Sequence, residues 1–167
     1  LLLCQSELNC NTIPPGWEKG AVLIEKYDGV GKYVPHATGF LLSEKPGTQI
    51  FLVTNSHVLE RENSIFLNLR NKSGKGRVRV EIILQTNEGR ISWKSHHDKQ
   101  IDIAAVPLSA FPTEAEYPPI FTYEVLEDSA GLLEGDEIIF FGFPRIAYDD
   151  NNIAKPAARG GIISLLT

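Results

Sequence analysis

Short apolar runs with a period of two dominate this chain. Val78-Arg79-Val80-Glu81-Ile82 alternates apolar and polar positions, as a half-buried strand does, and Ile65-Phe66-Leu67-Asn68-Leu69 does much the same. The same pattern predicts strands over Ala21–Tyr27, Thr38–Ser43, Gln49–Thr54, Ser64–Arg70, Val78–Thr86, Arg90–Trp93 and Ile103–Leu108. Turn residues separate them: Asp28-Gly29, Lys45-Pro46-Gly47, Lys72-Ser73-Gly74-Lys75-Gly76 and Asn87-Glu88-Gly89. No stretch of a dozen residues keeps a helical period. One helical turn is expected, over Ser56–Arg61, with Asn55 or Ser56 as its N-cap.

Seven short strands with regular turns predict an all-β unit, a small antiparallel barrel or sandwich. Ala110–Ile120, with Pro112, Pro118 and Pro119, reads as a linker. Beyond it, Glu137–Phe143 and Gly160–Leu166 read as strands of a second unit. Two or three strands cannot close a barrel, so this second unit is expected to be unfinished, with its apolar face exposed or covered from outside. The domain reading is an extension over 1–19, a first barrel over 20–117, and a linker with the opening strands of a second barrel over 118–167.

Composition adds bounds. The 167 residues, 43% hydrophobic, suffice for one ordinary core or two small ones. With 16 basic against 21 acidic residues the net charge is -5, which argues against nucleic-acid binding through a basic face. The absence of any Met implies a processed or excised piece of a longer product. Cys4 and Cys10 are the two cysteines. They read either as one small disulfide loop, which favours an extracellular or periplasmic setting, or as two free thiols. Leu1-Leu2-Leu3 is too short to identify as the end of a secretory signal. No run approaches the roughly 18 apolar residues of a membrane span.

The chemistry lies in two segments, Val53-Thr54-Asn55-Ser56-His57-Val58-Leu59 and Ile101-Asp102-Ile103-Ala104-Ala105-Val106. The first sets a histidine at the end of an apolar strand. The second sets a carboxylate at the head of another, where its neighbours imply burial. A buried carboxylate needs a partner, since leaving it unpaired costs several kcal/mol. An imidazole N–H is one natural partner. If the two meet, Asp102 fixes the tautomer of His57 and leaves the other ring nitrogen free as a general base. Singly, such residues are ordinary turn and surface groups. Together they make two-thirds of a nucleophile-activating triad.

Other polar clusters carry less. His96-His97-Asp98 offers three metal-capable side chains in a row, but neighbours on an extended chain point to opposite faces, so a polar loop is expected rather than zinc. His36 stands apart from them. Asp149-Asp150-Asn151-Asn152 lacks the spaced ligands of a calcium loop and reads as a solvated turn. Ser56 adjoins His57 in sequence and so cannot share a carbonyl with it. Gly160-Gly161 is no phosphate loop, because no Lys-Ser/Thr and helix follow. No cofactor or metal is expected.

Six segments in order resemble the trypsin-like serine peptidases, especially the bacterial heat-shock-degradase branch. They are Thr38-Gly39-Phe40-Leu41-Leu42, Phe51 through Leu59, Asp102-Ile103-Ala104-Ala105-Val106, Leu133-Glu134-Gly135-Asp136-Glu137-Ile138, Phe141-Gly142-Phe143-Pro144 and Gly161-Ile162-Ile163-Ser164. The resemblance runs from about Gly20 to the last residue. It implies a chymotrypsin-like pair of Greek-key barrels, the second incomplete in this chain, with the active site between them. It also implies that His57 acts as general base and then general acid, that Asp102 orients it, and that the substrate is a polypeptide.

The family's Gly-x-Ser-Gly turn is not among these residues, so the nucleophile is expected beyond Thr167, together with the oxyanion amides and most of the specificity pocket. Some fifteen residues precede Gly16-Trp17-Glu18-Lys19-Gly20-Ala21-Val22-Leu23, which argues against activation by a freed N-terminus. Two alternatives have distinct signatures. A non-catalytic binding module of the same fold would lack the serine altogether, and an unrelated β-sandwich would leave His57 and Asp102 apart.

Overall fold

The computed structural model describes residues 20–45, 48–86, 88–109, 111–118, 120–122, 135, 137–148 and 154–162. Cys4, Cys10, the acidic run from Asp149 to Asn152, and Ile163 and Ser164 lie outside them. The fold is all-β. Its elements are β1 (Ala21–Tyr27), β2 (Tyr33–Ser43), β3 (Ile50–Thr54), α1 (Ser56–Leu59), β4 (Ser64–Arg70), β5 (Arg77–Ile83), β6 (Lys94–Ser95), β7 (Ala104–Pro107), β8 (Ile120–Thr122), β9 (Glu137–Tyr148) and β10 (Ala154–Ile162).

The first eight strands form one sheet in the order β5-β4-β1-β2-β3-β7-β6, with β8 added in parallel to β2. The sheet curls. Val78 from β5 and Val106 from β7, near opposite ends of that order, share one buried cluster with Val22, Ile24, Leu41, Leu52, Ile65 and Leu67. Alternate residues supply this core, as a strand with one buried face requires: in β4, Ile65, Leu67 and Leu69 are buried while Phe66 and Asn68 are half-buried. β1 departs from the alternation. Val22, Leu23, Ile24 and Glu25 are all buried, and its register against β2 slips between Ile24 and Glu25, the mark of a β-bulge.

Glu25 is fully buried and ion-paired. Its Oε1 accepts from Arg77 Nη1 at 3.2 Å and from Asn68 Nδ2 at 2.8 Å, and its Oε2 accepts from Arg79 Nε at 2.5 Å. The Arg79 guanidinium also lies 4.2 Å from the Tyr33 ring centre, a cation–π contact. This network ties β1, β2, β4 and β5 together, beside the edge-to-face rings of Tyr33 and Phe66.

Several sequence expectations change here. β2 begins at Tyr33, earlier than Thr38, because the Asp28 carboxylate accepts from the amides of Val30 and Lys32 and so tightens the β1–β2 turn. The expected strand over Arg90–Trp93 is reduced to a single bridge between Gln85 and Ile91, with Ile91 64% exposed and unable to hold a face. The expected linker is packed: Phe111 and Ala115 belong to the core cluster, and Ala115 bridges Asn71.

The second sheet is the hairpin β9–β10. Phe140 is 37% and Ile162 65% exposed, while Ile138, Ile139 and Phe141 are half-buried. The hairpin contacts β1 and β2. One anchor is polar: the Phe143 amide donates to Thr38 Oγ1 at 3.0 Å.

Candidate active site

β3 ends at Thr54, and its hydroxyl donates to the Thr38 carbonyl at 2.9 Å, which fixes where the strand gives way to α1. α1 is one turn long, with buried Ser56, Val58 and Leu59 directed inward. That leaves His57 on the outward side, its side chain 68% exposed. The residue at the N-cap position is Asn55, but its side chain caps nothing in the helix. Instead Asn55 Nδ2 donates to the Asp102 backbone carbonyl at 2.9 Å.

Asp102 meets this turn with both carboxylate oxygens. Oδ1 accepts from the His57 amide at 3.1 Å, and Oδ2 accepts from His57 Nδ1 at 2.5 Å. The first bond satisfies an amide that a short helix leaves orphaned, so the carboxylate does an N-cap's work from 45 residues away. The second requires the proton on Nδ1, because an ionised carboxylate only accepts. In the neutral ring Nε2 is then left with a lone pair facing outward, and no partner among the described residues meets it.

The electrostatics agree with that geometry. The carboxyl of Asp102 is held below its ordinary 3.8, first by the His57 ring hydrogen bond, then by the His57 amide, against some desolvation. It therefore stays ionised through the range in which an imidazole works.

Asp102 was expected within a buried strand, yet its side chain is 45% exposed. β7 begins at Ala104, and the flanking Ile101 and Ile103 are 41% and 49% exposed. An irregular segment, rather than a pleated one, lets those apolar neighbours face outward and turns the carboxylate towards α1. The expected pairing holds, but its cause is direct hydrogen bonding and not burial.

His96 and His97 also depart from expectation. Their rings lie together, tilted by 36° with centres 4.3 Å apart, instead of pointing to opposite faces, and the Asp98 amide donates to His96 Nδ1 where the chain curls. Among the described residues no group of three or more His, Cys, Asp or Glu side chains gathers as a metal would require. Ser56 Oγ is buried without a hydrogen-bond partner, and it is enclosed beneath the turn rather than presented beside Nε2. Asn55 was missed as a site residue. Its signal, an amide side chain immediately before the histidine's turn, reads equally well as a cap.

No protein-family model matches the chain, and no curated protein matches it. Among solved structures it is similar to one described as "Structure of GrC", at 21% identity and a TM-score of 0.47. That match covers 87% of this chain and 61% of the other. The chain thus spans less than two thirds of that neighbour's length. No helix of the described residues is long and apolar enough to cross a membrane.

Proposed function

We propose that this chain carries the general base and its orienting carboxylate of a trypsin-like serine endopeptidase of the heat-shock-degradase-like branch, with the nucleophilic serine contributed from beyond Thr167. The observation that carries the reading is the Asp102–His57 hydrogen bond through Nδ1, with Nε2 directed outward. This arrangement has the form of a base held ready for a hydroxyl.

In this mechanism Nε2 takes the proton from a serine Oγ as that oxygen bonds to the scissile carbonyl carbon, whose π electrons move onto oxygen. The imidazolium that forms is stabilised by the ionised Asp102, which keeps its charge and gains no proton. Collapse of the tetrahedral species breaks the C–N bond, and the imidazolium returns its proton to the leaving amine. Water then repeats the sequence on the acyl-enzyme with the same base. Asn55 contributes by holding the Asp102 backbone, so that the carboxylate does not swing from the ring.

A second reading is supported by the exposure of the pair and the lack, among the described residues, of any oxygen nucleophile at Nε2. It is a binding module of the same fold that does no chemistry. Peptide hydrolysis separates the two. The protein extended beyond Thr167 is expected to hydrolyse an unstructured polypeptide, Asp102→Asn to lower kcat by about 10⁴-fold, and His57→Ala by at least as much. The 167-residue chain alone is expected to be inactive. Activity indifferent to both substitutions would overturn the peptidase reading, and a folded, wholly inactive extended protein would favour the binding module.

A further inference from the structure

A helix of one turn does not hold itself in water, so α1 depends on its attachments. Asp102 and Asn55 secure its entry. Its exit also has carbonyls that need partners. One of them, the Val58 carbonyl, accepts from His36 Nε2 at 3.1 Å. Because a carbonyl only accepts, Nε2 of His36 carries the proton. The same nitrogen lies 3.8 Å from Glu62 Oε1, and Glu62 Oε1 in turn accepts from Lys26 Nζ at 3.0 Å. His36 stands on β2 and Lys26 on β1, while Glu62 lies just after α1. The side chains of His36, Glu62 and Lys26 are 21%, 22% and 37% exposed, so the cluster is partly sheltered from water.

Building on the reading of His57 as the base, we infer that His36 is a positioning residue for it: by holding the Val58 carbonyl, it fixes the turn that sets the His57 ring against Asp102. Val58 directly follows His57, so the carbonyl that His36 grips belongs to the residue adjoining the base. The His57 Nδ1–Asp102 Oδ2 contact is 2.5 Å, and a drift of about 1 Å in the turn would take it out of hydrogen-bond range. The contact on Val58 also suits the negative end of the helix, where an N–H donor is favoured. Glu62, tethered by Lys26, keeps the ring from turning away.

The test uses the whole 167-residue chain labelled with ¹⁵N at histidine and ¹³C at aspartate. Its readouts are the His57 Nδ1–H resonance and the titration midpoint of the Asp102 carboxyl. In the unsubstituted chain the resonance is expected to be resolved and the Asp102 midpoint to lie below 3.8. In His36→Ala the resonance is expected to broaden away and the Asp102 midpoint to rise. In His36→Gln, whose amide can place a donor near the same carbonyl, both are expected to return towards the original. Glu62→Gln, which keeps the side chain but removes its charge, is expected to weaken the resonance and supplies the reading if His36→Ala does not fold.

A purely structural role for His36 would lower the melting temperature and leave both signals unmoved in the folded variants. That result would overturn the inference alone. Equal losses in His36→Gln and His36→Ala would overturn the donor role. An unsubstituted chain lacking the resonance would overturn the His57–Asp102 pair itself.

Discussion

At the residue scale, the decisive group is Asp102. Its carboxylate is exposed, so its attraction for an imidazole is screened and contributes little to global stability. Its effect is local, fixing a tautomer and capping a turn. Because its folded pKa lies below the ordinary 3.8, whatever stability it adds is present above that value and is lost as pH falls through the folded pKa. Melting temperatures of the native chain and of Asp102→Asn should therefore differ by a small amount above pH 3.8 and converge as pH falls below it. A gap that persists unchanged into stronger acid would contradict this account of the carboxylate.

At the element scale, the sheet is held by one apolar core and one buried polar network. Glu25 is central to the second. Glu25→Ala removes the acceptor shared by Arg77, Arg79 and Asn68 and should cost about 1–3 kcal/mol, read from urea unfolding. A cost under about 1 kcal/mol would mean that solvent replaces the carboxylate without difficulty. Gly39 is the other sensitive point. A Cβ there would come within 2.8 Å of Leu52 Cδ1 and 2.9 Å of the Val53 carbonyl. The second contact is backbone of β3, the strand that delivers His57. Gly39→Ala should thus cost about 1–3 kcal/mol and also shift the His57 resonances, whereas a pure packing defect would leave them in place.

Legibility in the sequence followed the same physics. Strands with one repeating apolar face, such as Ile65, Leu67 and Leu69 in Ser64–Arg70, appear where the pattern put them, because that face decides their register. Arg90–Trp93 alternates over only two apolar residues; Trp93 packs against the core while Ile91 is left exposed, and the segment forms only a bridge at Ile91. β8 carried no readable signal, since a three-residue strand pairing in parallel with β2 is fixed by contacts distant in sequence. The pairing of His57 with Asp102 was legible from context and order. The roles of Asn55 and His36 were not, because each acts on a backbone carbonyl, and no pattern of residue types along a chain marks which carbonyl a side chain will reach.

At the scale of the whole molecule, the question is how the hairpin β9–β10 sits on the larger sheet. Thr38 joins them: its carbonyl accepts from Thr54 beside the site, and its hydroxyl accepts from the Phe143 amide. Thr38→Val removes the second bond and keeps the first. The Phe143 amide should then exchange with solvent about tenfold faster, with core amides unaffected, which is the loss expected for one hydrogen bond. Unchanged exchange would show that apolar contacts alone seat the hairpin.

The central proposal is that His57 serves a serine outside these 167 residues. The most direct measurement is reaction of the extended protein with a fluorophosphonate probe, followed by mass mapping of the adduct. The account predicts one modified serine beyond Thr167, no adduct in His57→Ala, and none on the 167-residue chain alone. An adduct on one of the ten serines within the chain, or labelling that survives His57→Ala, would contradict it.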